Sequence, residues 1–317
     1  MELDCLCAGI LFADHACSPI PRVPEPGELI VAERMQLGLG GCSSNTALNL
    51  ARLGLKAGVA GCVGDDMFGQ FIVDALNQGG VDTGGIHRLP GINSASSMII
   101  NVEGQDRRFI SNPGANTKTT VEHIPSQWVC QAKVFYLGGY LLLPGLETDA
   151  MVELFRTARA AGTVTVLDVV FLGGSDCFGR LAPLLAETDV FLPNNDEAAA
   201  LTGQTDALRQ AEVFRRAGAR TVVITQGDKG TLLLGDDVRL RSGVYPVRFV
   251  GGTGAGDAFD AGYIAGLLFG EEPGGCLRWG SALGAACVRS IGATESVFDR
   301  QQALAFMQEH QLEVEPF

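Results

Sequence analysis

Short apolar runs alternate along the chain with longer stretches in which apolar residues recur every three or four positions. Residues 3–11 form the first run and predict a buried strand. Residues 44–53 place Ala47, Leu48 and Ala51 on one face and predict a helix closed by Gly54. The rhythm then repeats. Strands are predicted over 57–63, 133–137, 163–168, 189–192 and 221–225. Helices over 68–77, 147–161, 196–201 and 207–217 stand between most of them. Apolar strands separated by amphipathic helices predict an α/β fold with a parallel sheet covered on both faces.

Two segments break this rhythm. Residues 18–38 open with Pro19, Pro21, Pro24 and Pro26, after which 28–37 alternate roughly between apolar and polar. Residues 97–102 read as a strand, Glu103-Gly104 as a turn and 107–110 as its return, so this segment predicts a β-hairpin. The two segments, about 11–38 and 93–112, predict either a small separate sheet over one edge of the core or two surface excursions. Periodicity leaves both open.

Composition narrows the function classes. The 317 residues are 46% hydrophobic, enough for one large domain over 1–317. The net charge is −13, and the densest basic pairs are only Arg107-Arg108 and Arg215-Arg216. Such a chain repels nucleic acid and anionic membranes, so neither partner is expected. An anionic ligand is not excluded, because backbone amides and a divalent metal hold one without basic side chains. The longest apolar run, 134–143, is interrupted by Gly138-Gly139 and is too short to span a bilayer. The opening Met1-Glu2-Leu3-Asp4 carries two acids, the wrong start for a secretory signal, so a cytoplasmic protein is expected. The nine cysteines contain no C-x-x-C pair and read as reduced core residues. The four histidines are scattered and suggest no zinc site.

Several chemistries are missing. The chain has no Gly-Lys dipeptide, hence no Walker A loop, and lacks G-x-S-x-G. No predicted strand is followed by G-x-G-x-x-G. What it does have is Gly251-Gly252-Thr253-Gly254-Ala255-Gly256-Asp257, followed by an apolar helical stretch over 259–269. Small residues let backbone amides approach a ligand, and a helix start adds unpaired N–H groups and partial positive charge. Gly254, Ala255 and Gly256 thus suit an anion hole, with Asp257 beside it to accept a proton. The same residues also read as a glycine turn with a capping aspartate.

This segment resembles the second signature of the ribokinase-like, PfkB-type carbohydrate kinases. The resemblance runs over nearly the whole chain. Gly40-Gly41-Cys42-Ser43-Ser44-Asn45, Leu53-Gly54 and Gly61-Cys62-Val63-Gly64-Asp65-Asp66-Met67-Phe68-Gly69 match the first signature. Gly114-Ala115-Asn116 matches a segment that often follows the lid. Asn194-Asn195-Asp196-Glu197 matches N-x-x-E, and Thr225-Gln226-Gly227-Asp228-Lys229-Gly230 matches T-x-G-x-x-G.

The resemblance implies a Rossmann-like (ribokinase-like) α/β core, a mostly parallel sheet flanked by helices, with a small β-sheet lid formed by the two irregular segments. It implies transfer of a phosphoryl group from ATP to a primary hydroxyl of a sugar or sugar-like alcohol. Asp257 would be the general base and the Gly254, Ala255 and Gly256 amides the anion hole. Asp14, Gly40, Gly41, Asn45 and Arg108 would bind the acceptor. Asn194, Thr225, Gly227 and Gly230 would line the nucleotide, and Glu197 would organise Mg²⁺, largely through water. Tyr140 reads equally as an acceptor contact or a core residue. In this family the lid sometimes forms a dimer contact, so a homodimer through the lid is a further expectation.

The chain departs from the family at one place. Its second signature usually begins Asp-Thr, and that aspartate is a ligand of an activating monovalent cation. Here the positions are Gly251 and Gly252, so a potassium site built in that way is not expected. Two alternatives stand beside the sugar kinase: a nucleoside kinase of the same family, and a non-catalytic nucleotide-binding protein on this fold. A sugar-phosphate acceptor has only Arg107, Arg108 and Lys118 to meet it.

Overall fold

The computed structural model of the chain describes residues 3–105, 107–171, 173 and 177–317. Met1 and Glu2, part of the N-terminal reading above, lie outside it. The strands are β1 (Cys5–Gly9), β2 (Phe12–Cys17), β3 (Met35–Gly40), β4 (Ala57–Gly64), β5 (Asp82–Leu89), β6 (Ser96–Ile100), β7 (Arg108–Asn112), β8 (Val134–Gly138), β9 (Val164–Leu167), β10 (Val190–Phe191), β11 (Thr221–Thr225), β12 (Thr231–Leu234), β13 (Arg239–Ser242) and β14 (Val314–Pro316).

Ten of them form one sheet in the order β14-β13-β12-β11-β10-β9-β8-β1-β4-β5. From β11 to β5 every pair is parallel; β12, β13 and β14 add an antiparallel edge. Every residue of β1, β4 and β8 is buried, as uninterrupted apolar runs in a doubly covered sheet require. The remaining four strands form a separate sheet in the order β3-β2-β6-β7. The expected α/β core with a smaller second sheet is therefore what the chain forms.

One boundary differs from the sequence reading. The apolar run 3–11 is not one strand: β1 ends at Gly9, and β2 begins at Phe12 in the other sheet. Both strands bury apolar side chains, so hydrophobicity alone does not mark the crossing.

The chain passes from β1 to β4 and β5 on one side, and later to β8 and β9 on the other. The order therefore reverses beside β1. In an open parallel sheet the crevice at the carboxyl ends of strands at such a reversal is where ligands bind. Two helices point their first turns at it: Cys42–Arg52, entered from Gly41, and Ala255–Phe269, entered from Gly254. The second has nine buried residues, including Ala258 through Gly266, and packs along the helix Pro273–Cys287. Its N-terminus is thereby fixed by core packing. No helix among the described residues is long and apolar enough to cross a membrane.

Candidate active site

Gly254 caps the helix Ala255–Phe269 in the left-handed conformation, with φ +76°. A Cβ there would stand 2.5 Å from the Ala293 carbonyl oxygen. Glycine is thus required twice, by backbone conformation and by close approach. Gly256 faces open space. The first turn carries N–H groups without intrahelical partners and the positive end of the helix dipole.

Asp257 sits in that turn. Its Oδ2 accepts a 2.7 Å hydrogen bond from Asn45 Nδ2, and its backbone carbonyl accepts a 3.3 Å bond from the Thr46 hydroxyl. These contacts tie the first turns of the two helices together across 212 residues of sequence. Burial raises the proton affinity of Asp257, while hydrogen bonds from Asn45 and Cys42 oppose the rise. A carboxylate made more basic in this way suits proton abstraction.

Three further acids surround it. Asp168 follows β9; its Oδ2 accepts from the Gly139 N–H at 3.1 Å, and its carboxylate also bonds the Cys42 thiol. Asp260, one turn beyond Asp257, accepts a 2.9 Å bond from the Tyr136 hydroxyl. Burial, then repulsion from neighbouring acids, holds both well above the usual carboxylate range. Glu197 is pushed up to about 7 by burial, with Asp257 and Asp196 adding repulsion against its hydrogen bonds to Asn194. The Sγ of Cys42 and one carboxylate oxygen each of Asp168 and Asp257 lie within 4.8 Å of one another. Sequence reasoning missed Cys42, Asp168 and Asp260. The available signals were an acid at the carboxyl end of a parallel strand and a second acid on the same helix face as Asp257.

On the other side of Asp257 stands the small sheet. Asp14 lies on β2 of that sheet. Burial raises it to about 7; the charge of Asp257 adds to the rise and a hydrogen bond from Ser97 opposes it. Gly40 makes room for it, since a Cβ there would come within 1.9 Å of the Asp14 Oδ2. Gly41 carries the chain into the helix Cys42–Arg52. Asp14, Gln36 and Ile99 from this sheet meet Thr253, Gly292 and Ala293 around a narrow pocket.

Of the two lid arginines, Arg108 bonds Gln105 within the hairpin. Arg107 leans toward the glycine loop, its Nη1 2.9 Å from where a Gly252 Cβ would stand, and its guanidinium lies over the Phe109 ring. Tyr140 is a core residue: it is fully buried, its hydroxyl is 3.2 Å from that of Thr148, and Arg180 stacks on its ring.

The remaining candidates gather beyond β10 and β11. Asn194 caps the helix Asn195–Thr202, its Oδ1 accepting from the backbone N–H groups of Asp196 and Glu197. Glu197 Oε2 accepts from the Asn194 N–H at 3.0 Å, completing a capping box. Asn194 and Thr225 form a parallel bridge. The turn Gly227–Lys229 follows, and Gln226 N–H donates to the Gly230 carbonyl at 2.9 Å. The structure thus joins Asp257 to Asn45 directly, couples Asp14 and Glu197 to it through their charges, and sets Asn194 beside Thr225.

Residues 6–300 match the family described as pfkB family carbohydrate kinase. A ribokinase of Haemophilus influenzae is 29% identical over 306 residues, covering 95% of this chain and 97% of that one. An aminoimidazole riboside kinase of Salmonella typhimurium is 29% identical over 292 residues, covering 86% and 89%. Among solved structures, Arabidopsis thaliana ribokinase complexed with ribose and ATP is similar with a TM-score of 0.82 at 25% identity, covering 97% of this chain and 99% of that one.

Proposed function

The chain belongs to the pfkB family of carbohydrate kinases, and from that premise we propose that it moves the terminal phosphoryl group of ATP to a primary hydroxyl of a sugar or sugar-like alcohol. One observation carries the reading: the helix-start carboxylate of Asp257, held by Asn45 and made more basic by burial, beside the small-residue turn Gly254-Ala255-Gly256. The Arabidopsis relative, solved with ribose and ATP, supports the substrate pair.

In this mechanism the acceptor lies between Asp257 and the small sheet. Asp14 and Asn45 hold its hydroxyls by accepting and donating, and the backbone at Gly40 and Gly41 closes the wall behind it. Asp257 takes the proton of the attacking hydroxyl as the oxygen bonds to phosphorus, and ADP leaves. The amides of Gly254, Ala255 and Gly256 meet the charge that gathers on the transferred group. Asn194, Thr225, Gly227 and Gly230 line the nucleotide side. Arg107 reaches the loop before the anion hole and joins Arg108 as a lid contact to acceptor or phosphate.

Four carboxylates with raised proton affinities, Asp168, Asp257, Asp260 and Glu197, form a site whose charge calls for a divalent cation. Its hard oxygen donors fit Mg²⁺, which Glu197 and Asn194 would hold through water. When bound, the ion supplies neutralisation of phosphate charge. On the small sheet, Met35, Leu37, Met98 and Ile110 share one face and are exposed. That face supports a homodimer through the lid, which light scattering tests.

The functional test is ADP release from ATP with Mg²⁺ across free sugars, sugar acids, sugar phosphates and nucleosides. Turnover with one class of alcohol is expected. Asp257→Asn should lower kcat by orders of magnitude while nucleotide binding survives. No release with any class, although ATP binds, overturns the reading in favour of a nucleotide-binding protein.

A further inference from the structure

We propose that Cys42, Asp168 and Asp257 form a second metal site, one that takes a thiophilic divalent cation of the Zn²⁺ class and thereby blocks the active site. Cys42 opens the helix Cys42–Arg52 and is buried, as is Asp168. Asp257 is only partly buried, which leaves an approach to the cluster. The three ligand atoms lie within 4.8 Å of one another. A tetrahedral zinc ion with Zn–S near 2.3 Å and Zn–O near 2.1 Å spaces its ligands by roughly 3.5 Å, so small side-chain movements close the site.

A second observation is a buried, unpartnered polar atom on the side chain that holds Asp257. The Asn45 side chain is only 2% exposed, and its amide leans on Asp257 through Nδ2. Its Oδ1 is buried with no hydrogen-bond partner among the described residues. A ligand bound beside Asp257 would offer that oxygen a partner.

The site shares Asp168 and Asp257 with the acidic cluster that would attract Mg²⁺, and the sulfur of Cys42 is what sets it apart. A thiolate and two carboxylates make a soft-containing donor set, which favours zinc over magnesium. As the sulfur–metal bond forms, the thiol proton passes to solvent. A metal on the Asp257 carboxylate would neutralise the charge that draws off the acceptor proton, so occupancy and turnover exclude each other. Only that last consequence rests on the kinase reading.

The test titrates the nucleotide-free full chain with Co²⁺ alone and follows the thiolate-to-cobalt charge-transfer band. Wild type should develop the band at one equivalent and lose it on adding Zn²⁺. Cys42→Ser should abolish it, and Asp168→Asn should weaken binding at least tenfold, both variants having first shown a cooperative thermal transition. Should Cys42→Ser not fold, the Asp168→Asn titration alone decides. No band in wild type, or the same band in Cys42→Ser, overturns the proposal. In parallel, Zn²⁺ should inhibit wild-type ADP release in competition with the acceptor, and Cys42→Ser should resist it relative to its own rate. Absence of ADP release without zinc counts against the kinase reading and leaves the cobalt result standing.

Discussion

Replacing Asp14 with Asn should stabilise the fold and weaken acceptor binding, and the stabilisation should depend on pH. The Asp14 carboxyl is raised from 3.8 to about 7, chiefly by burial. Below pH 4 folded and unfolded chains both hold the proton, and the group is neutral for stability. As pH rises through 3.8 the unfolded chain releases its proton while the folded chain keeps it, so stability falls until about pH 7 and is level above. At about 1.4 kcal/mol per tenfold change in proton affinity, the full loss is about 4 kcal/mol, of which about 2 kcal/mol has accrued by pH 5. The amide is nearly isosteric, fits the space left by Gly40 and still accepts the Ser97 hydrogen bond. Urea denaturation of both proteins at pH 5 and pH 8 measures the difference. Asp14→Asn should gain 2 to 4 kcal/mol over wild type at pH 8 and about 2 kcal/mol less than that at pH 5. Its KM for the acceptor should rise tenfold or more, because a site built around a hydroxyl-binding carboxylate loses that contact. Parallel pH profiles for the two proteins would refute the burial argument.

Gly254→Ala places a side chain at φ +76° and within 2.5 Å of the Ala293 carbonyl; it should cost about 1–3 kcal/mol in thermal denaturation and cut turnover, since the anion hole starts there. Arg107→Ala should lower kcat/KM clearly more than Arg108→Ala in ADP-release kinetics, because only Arg107 approaches the Gly252 loop. With Gly251 in place of a carboxylate, initial rates in sodium, potassium and a bulky organic cation should be equal; a large specific activation by potassium contradicts this.

Much of the core was legible because uninterrupted apolar runs such as β4 and β8 have no other burial to satisfy. The missed elements lacked that signal. The edge strand β5 reads Asp-Thr-Gly-Gly-Ile-His-Arg-Leu and is largely solvated, while β13 and β14 are short and polar. The helix Pro273–Cys287 is rich in glycine, and its apolar positions show little periodicity because it packs on more than one side. Arg107 stands just before β7 and Arg108 opens it, and the two take different partners, Phe109 and Gln105, which the sequence pattern does not distinguish.

What the sequence determined by itself were features fixed within a few residues: the glycine-led start of the helix Ala255–Phe269 with Asp257 in its first turn, the capping box of Asn194 and Glu197, and the alternation of strands and helices. These depend on local backbone geometry, so local pattern carries them. What only the tertiary structure decided were contacts between distant segments: Asn45 on Asp257, Asp14 under its charge, and Cys42 between Asp168 and Asp257. Each of those side chains is ordinary in its own stretch of chain. Their chemistry arises because sheet order and helix packing bring like charges into a buried site, where burial and repulsion change what a carboxylate does.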